Sequence, residues 1–413
     1  MLVPSRLREG EFYALPQSPQ LFKQLLMIAG VERYFQIARC YRDEDFRADR
    51  QLEFTQLDLE GSFWDRDDVL DTIESVLVAV VEELRGAEIA RPFPRLTWQE
   101  SMDRYGTDKP DVRFGAEIVD LSQVFDGSGF GVFGDTLKGG GTIRGINAGH
   151  QEWSRARADA MTERAKELGG KGVVWMVAEE DGSLRSPVAK FLDERELAGV
   201  RGALAVKPGD VLLIAADRWR RAVEVLGTLR NDLLRPSDHD DLSFLWVIDF
   251  PLFEETDDGS ITFSHHPFTS PASLDEMRDN PTGAVSKAYD AVLNGVELGS
   301  GSVRIHDPDV QRQVFDMLGI DADTAERRFG WFLEALRYGT PPHAGFAFGI
   351  DRLVMVLQGE TSIREVIPFP KTQSGVDPMT GAPTWVEPAQ LDELGIALTE
   401  EALARREQPV DEG

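Results

Sequence analysis

Residues 35–60 hold side chains whose types and spacing suit chemistry on a ligand that is both charged and planar. The stretch predicts two antiparallel strands joined by a charged loop, with Arg42 at the end of the first strand and Phe54 and Asp58 on one face of the second. An arginine forks onto phosphate oxygens, an aromatic ring stacks on a base, and a carboxylate binds an amine. The hairpin therefore predicts a ligand with a phosphate, a base and an ammonium group. A charge-rich surface hairpin is the alternative that periodicity leaves open.

A predicted helix before the hairpin carries further polar side chains. Ser18 is a good N-cap with Pro19 at the first helical position, and Gly30 suits the position after the last turn. Gln20 and Lys23 are three positions apart, so they lie on one side of the first turn. The pattern also allows Lys23 to extend its stem along an apolar edge with its ammonium group in water.

The adjacent pair His265 and His266 follows an apolar strand predicted over residues 242–248. Two histidines suggest a metal site, but no cysteine or further histidine lies at ligand spacing. The sequence therefore favours a polar contact to a substrate at this pair.

Two carboxylates and a guanidinium group follow the histidine pair. The sequence predicts a helix over residues 283–294 and a strand over residues 301–305, which includes Arg304. Asp290 and Glu297 flank the predicted turn, and carboxylate oxygens are ligands that Mg²⁺ takes alongside substrate phosphates. Two solvated acids beside a turn are the alternative.

Residues 345–357 predict a strand, a glycine turn and an apolar helix. Gly349 would let the backbone approach a ligand closely. Arg352 falls at the start of the helix, where an anion is favoured. Taken alone, this G-x-D-R sequence is weak evidence for a binding site.

The composition limits the classes of protein that this chain can be. Its 413 residues are too many for one hydrophobic core, and its net charge of −28 argues against indiscriminate binding of polyanions. The single cysteine, Cys40, excludes an intrachain disulfide framework and predicts a reducing, cytoplasmic location. No apolar run approaches the length of about 20 residues that spans a membrane.

The chain changes character near Asp108. Residues 111–240 combine glycine-rich joints, a polar helix at about 151–168 and strands at 173–178 and 210–215. We therefore expect an inserted α+β domain over residues 111–240, between catalytic segments 1–110 and 241–413. Residues 403–413 are expected to form a frayed tail.

The literal sequence of the hairpin, YRDE followed by RADRQLEFTQLD, closely resembles motif 2 of class II aminoacyl-tRNA synthetases, and GFAFGIDR resembles their motif 3. More narrowly, the chain resembles the bacterial type of aspartyl-tRNA synthetase. The resemblance implies an α+β fold, with the antiparallel sheet of class II synthetases flanked by helices and interrupted by an inserted α+β domain.

The resemblance also implies roles for individual residues. Arg42 and Arg352 would be catalytic, stabilising the α- and γ-phosphates, and Phe54 would stack under adenine. The ATP site would comprise Arg42, Asp43, Glu44, Gln51, Phe54, Glu297, Gly349, Ile350, Asp351 and Arg352. The aspartate site would comprise Gln20, Lys23, Asp58, His265 and Arg304. Mg²⁺ would be held by Asp290 and Glu297.

The resemblance implies a reaction in two steps and a set of partners. L-Aspartate and ATP would form aspartyl-adenylate, and tRNA(Asp) would then take the aspartyl group. Whether tRNA(Asn) is also a substrate stays open, and an asparagine-specific enzyme is a weaker reading that the Lys23–Arg304 cation pair argues against.

Members of the family have an anticodon-binding barrel and a dimer-forming motif 1 that find no counterpart in this sequence. We therefore expect an exposed apolar edge, and adenylate formation that exceeds tRNA charging. The alternative is an impaired synthetase remnant that binds nucleotide or protein.

Overall fold

The computed structural model describes residues 1–43, 48–237, 240–256 and 259–406. In chain order the strands are β1 (Leu2–Pro4), β2 (Phe12–Ala14), β3 (Arg33–Tyr41), β4 (Glu53–Ser62), β5 (Arg95–Thr97), β6 (Val119–Asp120), β7 (Thr142–His150), β8 (Val174–Ala178), β9 (Leu184–Arg185), β10 (Asp210–Asp217), β11 (Phe244–Ile248), β12 (Phe253–Glu255), β13 (Ile261–Phe263), β14 (Ala288–Leu293), β15 (Val296–Val303) and β16 (His343–Gly349). The α-helices are α1 (Gln20–Ile28), α2 (Arg66–Arg85), α3 (Trp98–Tyr105), α4 (Gly131–Lys138), α5 (Arg155–Glu167), α6 (Glu194–Ala203), α7 (Trp219–Leu234), α8 (Leu274–Asp279), α9 (Pro308–Met317), α10 (Ala322–Leu336), α11 (Ile350–Gln358), α12 (Pro388–Glu393) and α13 (Glu400–Arg406).

The chain divides into two units, the first formed by Met1–Phe63 with Trp331–Gly413 and the second by Trp64–Gly330. Both units mix helices with mainly antiparallel strands, so the predicted α+β class is confirmed. Within the described ranges, no helix is long and apolar enough to cross a lipid bilayer.

The predicted hairpin is the centre of the first unit. Strands β3 and β4 pair antiparallel, with Cys40 opposite Phe54, and β16 pairs with the other edge of β4. Helices α1 and α11 both pack on β4. The antiparallel hairpin that the alternating pattern predicts is therefore confirmed.

Helix α1 begins one residue later than the sequence indicates. Pro19, not Ser18, occupies the N-cap position, and no side chain caps the helix. The carbonyl of Pro19 accepts the first helical hydrogen bond, from the backbone N–H of Lys23 at 3.0 Å. The helix end is as predicted, since Gly30 follows the C-cap with φ of +91°.

The predicted strand, turn and helix of motif 3 are confirmed as β16 and α11. A Cβ atom at Gly349 would lie 3.6 Å from Arg352 Cβ, which is ordinary contact, so the fold itself does not demand glycine there. The predicted tail is wrong for residues 403–406, which belong to helix α13. The remaining residues of that tail lie outside the described ranges.

In the second unit, β15, β14, β11 and β5 lie side by side in that order. The predicted helix over residues 283–294 is wrong, because Ala288–Leu293 form strand β14 between β11 and β15. Every residue of β14 is buried. A strand buried on both faces shows no polar alternation, so its apolar run imitates a helical stripe. Strand β15 also starts earlier than predicted, at Val296.

A separate antiparallel sheet, in the order β6-β7-β10-β8-β9, lies within residues 119–217. Leu212 and Ile214 of β10 face one apolar core, and Leu213 and Ala215 face another that includes Met102 of α3. The predicted elements α5, β8 and β10 are confirmed. The inserted domain over residues 111–240 stays a prediction. A boundary at residue 110 would divide the core that contains both Met102 and Leu213. Limited proteolysis would test whether residues 111–240 form a separable domain.

Candidate active site

Lys23 lies at the centre of a buried charge cluster in the first unit. Its Nζ is 2.5 Å from Asp58 Oδ1 and 2.9 Å from Glu60 Oε2, and it also donates to the carbonyl oxygen of Leu59 at 3.2 Å. None of the three charged side chains is more than 1% exposed. One ammonium group therefore faces two carboxylates, and the alternative of a solvated Lys23 is excluded.

Glu60 is a member of this cluster that the sequence analysis did not assign to the site. It shares the face of Asp58 in β4, so the alternation of the strand could have identified it. Gly345 of β16 is required beside it, because a Cβ atom there would lie 1.8 Å from Glu60 Oε2. The fold thus provides room for this carboxylate next to Lys23.

Gln20, predicted in the aspartate site, is joined to two fully buried side chains. Its Nε2 donates to Gln24 Oε1 at 3.0 Å, and Gln24 Nε2 lies 3.1 Å from Nε2 of His343. Nδ1 of His343 lies 2.8 Å from the carbonyl oxygen of Pro341. The sequence gives no local signal for His343, since it meets α1 only through the fold.

Arg42 and Phe54 are brought together by the pairing of β3 and β4. The guanidinium carbon of Arg42 lies 5.1 Å from the centre of the Phe54 ring, and both residues are half-buried. A cation and a ring in this arrangement can bind a phosphate and a planar base. Asp43 is exposed, and Glu44 lies outside the described residues.

The remaining predicted ATP residues of the first unit contact the chain itself. Asp351 accepts a hydrogen bond from the backbone N–H of Thr55 at 2.7 Å, which fixes motif 3 against β4. Arg352 lies 3.5 Å from the carboxylate of Asp49. Gln51 accepts from the N–H of Lys371 at 3.0 Å and donates to its carbonyl oxygen at 3.4 Å. The amide of Gln51 therefore holds the C-terminal segment in place.

His265 and Asp290 form a pair in the second unit. Nε2 of His265 lies 3.2 Å from Asp290 Oδ1. Burial raises the pKa of Asp290 to about 6, and the charge of Glu297 adds to that rise while His265 opposes it. Burial lowers the pKa of His265, but the nearby carboxylates, Asp290 foremost, together outweigh that effect and the net shift of the pKa is upward. Each partner therefore favours the charged form of the other.

Arg304 is buried in the second unit and is oriented by two side chains. Its Nη1 donates to Ser302 Oγ at 2.8 Å and lies 2.7 Å from Nε2 of His266. The other ring nitrogen of His266 accepts from the backbone N–H of Phe268 at 3.1 Å. His266 thus contacts Arg304 and His265 contacts Asp290, so the two adjacent histidines serve different partners.

The predicted metal ligands, Asp290 and Glu297, lie on the paired strands β14 and β15. Repulsion from Glu297 contributes to the raised pKa of Asp290, and a cation would relieve that repulsion. Among the described residues, no group of three or more histidine, cysteine, aspartate or glutamate side chains is arranged to hold a metal ion. Two carboxylates fit Mg²⁺ when phosphates and water supply its other ligands.

Comparison with known proteins identifies the family. The sequence model of the tRNA synthetases class II (D, K and N) matches residues 1–373. The chain is 52% identical over 405 residues to an aspartate–tRNA(Asp/Asn) ligase of Moorella thermoacetica, covering 96% of this chain and 67% of that protein. It is 51% identical over 405 residues to an aspartate–tRNA ligase of Geobacillus kaustophilus, covering 96% and 68%. The chain belongs to the class II tRNA synthetases of the D, K and N group.

Proposed function

We propose that this protein is an aspartate–tRNA ligase, which activates L-aspartate with ATP and transfers the aspartyl group to tRNA(Asp). The observation that carries the proposal is the buried cluster of Lys23, Asp58 and Glu60. Comparison supports the proposal, because about half of the aligned residues are identical to those of relatives named aspartate–tRNA ligases.

The charge cluster suits an amino acid with a second carboxylate. All three N–H bonds of Lys23 are engaged, by Asp58, Glu60 and the carbonyl of Leu59. A ligand that brings both an ammonium group and a carboxylate can exchange partners with the Lys23–Asp58 pair. Its ammonium group binds Asp58, and its β-carboxylate binds Lys23. Gln20, His265 and Arg304 are proposed as further aspartate-binding residues.

The ATP site is proposed from Arg42, Phe54 and Arg352. Phe54 stacks under adenine, Arg42 binds the α-phosphate and Arg352 binds the γ-phosphate. The contact between Arg42 and the Phe54 ring supports this assignment, because it holds the guanidinium group beside the surface that would take the base. Further assignments are Asp43, Glu44, Glu297, Gly349, Ile350 and Asp351. Gln51 belongs to the same proposal in a supporting role, through its hydrogen bonds to Lys371.

The chemistry needs no protein nucleophile. The α-carboxylate of aspartate attacks the α-phosphorus in line, the bond to the bridging oxygen breaks, and pyrophosphate leaves. Arg42 and Arg352 stabilise the charge that develops on the phosphates, so the protein contributes positioning and electrostatics. Mg²⁺, when bound by Asp290 and Glu297, would neutralise phosphate charge.

The second step is a transfer to tRNA. A terminal ribose hydroxyl of tRNA attacks the carbonyl carbon of the adenylate, and AMP leaves. The relatives include proteins named for tRNA(Asp) alone and for tRNA(Asp/Asn), so tRNA(Asn) is a second candidate substrate. A cytoplasmic location is proposed from the single cysteine.

A homodimer is proposed from the family resemblance. Phe35 and Ile37 of the outer strand β3 are 75% and 56% exposed, which supports association through this part of the first unit. The alternative of an impaired remnant is not favoured, since the arginines and lysine proposed for binding are all present.

The test is ATP–pyrophosphate exchange with L-aspartate, L-asparagine and L-lysine, the three amino acids of the D, K and N group. We expect exchange with aspartate only, and its loss when EDTA removes Mg²⁺. Exchange with asparagine, or with none of the three, would contradict the proposal.

A further inference from the structure

Four groups in the first unit form one continuous chain of hydrogen bonds. It runs from the amide of Gln20 to the amide of Gln24, then to the ring of His343 and to the carbonyl oxygen of Pro341, with distances of 3.0, 3.1 and 2.8 Å. Gln24 and His343 are both fully buried, whereas Gln20 is half-buried at the start of α1. At the Gln20 end the chain therefore reaches a side chain that a ligand can approach.

The direction of every bond in this chain follows from its last member. A carbonyl oxygen only accepts, so Nδ1 of His343 carries the proton that is donated to Pro341. In a neutral ring Nε2 is then an acceptor, and Gln24 must donate to it through Nε2. This orientation turns Oε1 of Gln24 toward Gln20, which must donate in turn. The amide of Gln20 is thereby oriented with its Nε2 inward.

The remaining atom of that amide is the carbonyl oxygen. Within the part of the chain that the structure describes, Oε1 of Gln20 accepts no hydrogen bond, and it is not among the buried polar atoms that lack a partner. It is an acceptor open to solvent. A free glutamine side chain could rotate its amide and present a donor instead, but the bond to Gln24 prevents this.

We propose that Gln24 and His343 are positioning residues that fix Gln20 with its carbonyl oxygen toward the substrate, where it accepts a hydrogen bond from the ammonium group of L-aspartate. The inference rests on the proposed function. L-Aspartate has two carboxylates, which only accept, and one ammonium group, which is its only donor. An amide held with its oxygen outward is therefore complementary to the ammonium group. The reversed amide would direct N–H groups at it.

The test compares L-aspartate with succinate, which has the same two carboxylates and no ammonium group. Gln24→Met keeps the side-chain length but removes both hydrogen bonds, so Gln20 is free to rotate. We expect the KM for L-aspartate in ATP–pyrophosphate exchange to rise about tenfold, as for the loss of one hydrogen bond to a charged group. The KM for ATP, and the inhibition constant of succinate against aspartate, should stay within twofold of the wild-type values.

Gln24→Glu is the matched control. A carboxylate at this position still accepts from Nε2 of Gln20 and can accept from a protonated His343, so the orientation of Gln20 is retained. We expect its KM for L-aspartate to lie within about threefold of the wild-type value. Two outcomes would overturn this inference but leave the proposed function standing. One is that Gln24→Met weakens the binding of aspartate and of succinate equally, and the other is that Gln24→Glu raises the KM for L-aspartate as much as Gln24→Met does. A wild-type protein without aspartate-dependent exchange would overturn the proposed function and this inference with it.

Discussion

Two buried cations, Lys23 in the first unit and Arg230 in the second, have different partners. The partners of Lys23 include charged carboxylates, whereas Arg230 donates to neutral backbone carbonyl groups. Lys23 makes ion pairs with two carboxylates, Asp58 and Glu60. Arg230 is also fully buried, but it donates to three backbone carbonyl oxygens within residues 111–115, at 2.6 to 3.0 Å. Its guanidinium carbon lies 3.9 Å from the centre of the Phe114 ring. No ion pair between Arg230 and a carboxylate occurs in the described ranges.

The two kinds of partner differ in whether a ligand can replace them. Carboxylates attract a substrate ammonium group. An amino acid with a second carboxylate can therefore replace the Lys23–Asp58 ion pair, with its ammonium group on Asp58 and its carboxylate on Lys23. Backbone carbonyls offer only fixed dipoles. Burial lowers the pKa of Arg230, and nearby Tyr105 opposes that shift. We therefore propose that Lys23 binds substrate, whereas Arg230 holds residues 111–115 against α7.

The largest effect is expected for Lys23→Met. The change removes the ion-pair partner of two buried carboxylates and the proposed ligand of the substrate β-carboxylate. Aspartate activation should lose about 3 kcal/mol or more, roughly a hundredfold in kcat/KM. ATP–pyrophosphate exchange measures it, with the KM for ATP as the internal control. Unchanged exchange would place the aspartate site elsewhere.

Arg230→Met should show the reverse pattern. It leaves three buried carbonyl oxygens without their donor, so the free energy of unfolding should fall by about 2–4 kcal/mol. The KM for aspartate should not change, because the residue contacts none of the proposed binding groups. Thermal unfolding and exchange assays on the same preparation measure both quantities. A raised aspartate KM at unchanged stability would break the distinction between the two cations.

A smaller contrast is expected within the Lys23 cluster. Asp58→Asn removes the proposed partner of the substrate ammonium group and should raise the KM for aspartate at least tenfold. Glu60→Gln removes a negative charge but no proposed contact with the ammonium group, so it should raise the KM for aspartate about threefold. Steady-state exchange kinetics of the two isosteric variants provide the comparison. A larger effect at Glu60 would show that this carboxylate, rather than Asp58, meets the substrate.

The smallest effect concerns Cys40, which is buried opposite Phe54 in the hairpin. Burial raises the pKa of its thiol, and Arg42 only partly opposes the rise. The thiolate therefore forms less readily than that of an exposed cysteine, and a thiol reagent at pH 8 should label the folded protein slowly. Lys23→Met should speed labelling more than Arg230→Met, since it weakens the unit that contains Cys40. Mass spectrometry over time measures both rates, and rapid labelling of the wild type would contradict the burial of this strand.

Local pattern was sufficient for the hairpin and for motif 3. The alternation that places Phe54 and Asp58 on one face predicted strand β4 correctly, and the glycine before α11 marked the turn. The same reasoning failed at β14, whose buried residues carry no polar alternation. It also missed His343, because the bond to Gln24 joins residues 319 positions apart. Lys23 was predicted to bind aspartate, and that role stays a prediction. Its pairing with Glu60 could not be predicted, because it depends on how α1 packs on β4.

Calorimetric titration of L-aspartate into the wild-type protein, Lys23→Met and Arg230→Met tests the division between the two cations most directly, because it needs no turnover. We predict one site per chain in the wild type and in Arg230→Met, with dissociation constants that agree within twofold. Lys23→Met should bind about a hundredfold more weakly. Equal affinity in Lys23→Met and the wild type, or a similar loss in both variants, would contradict the proposal that Lys23 binds substrate and Arg230 does not.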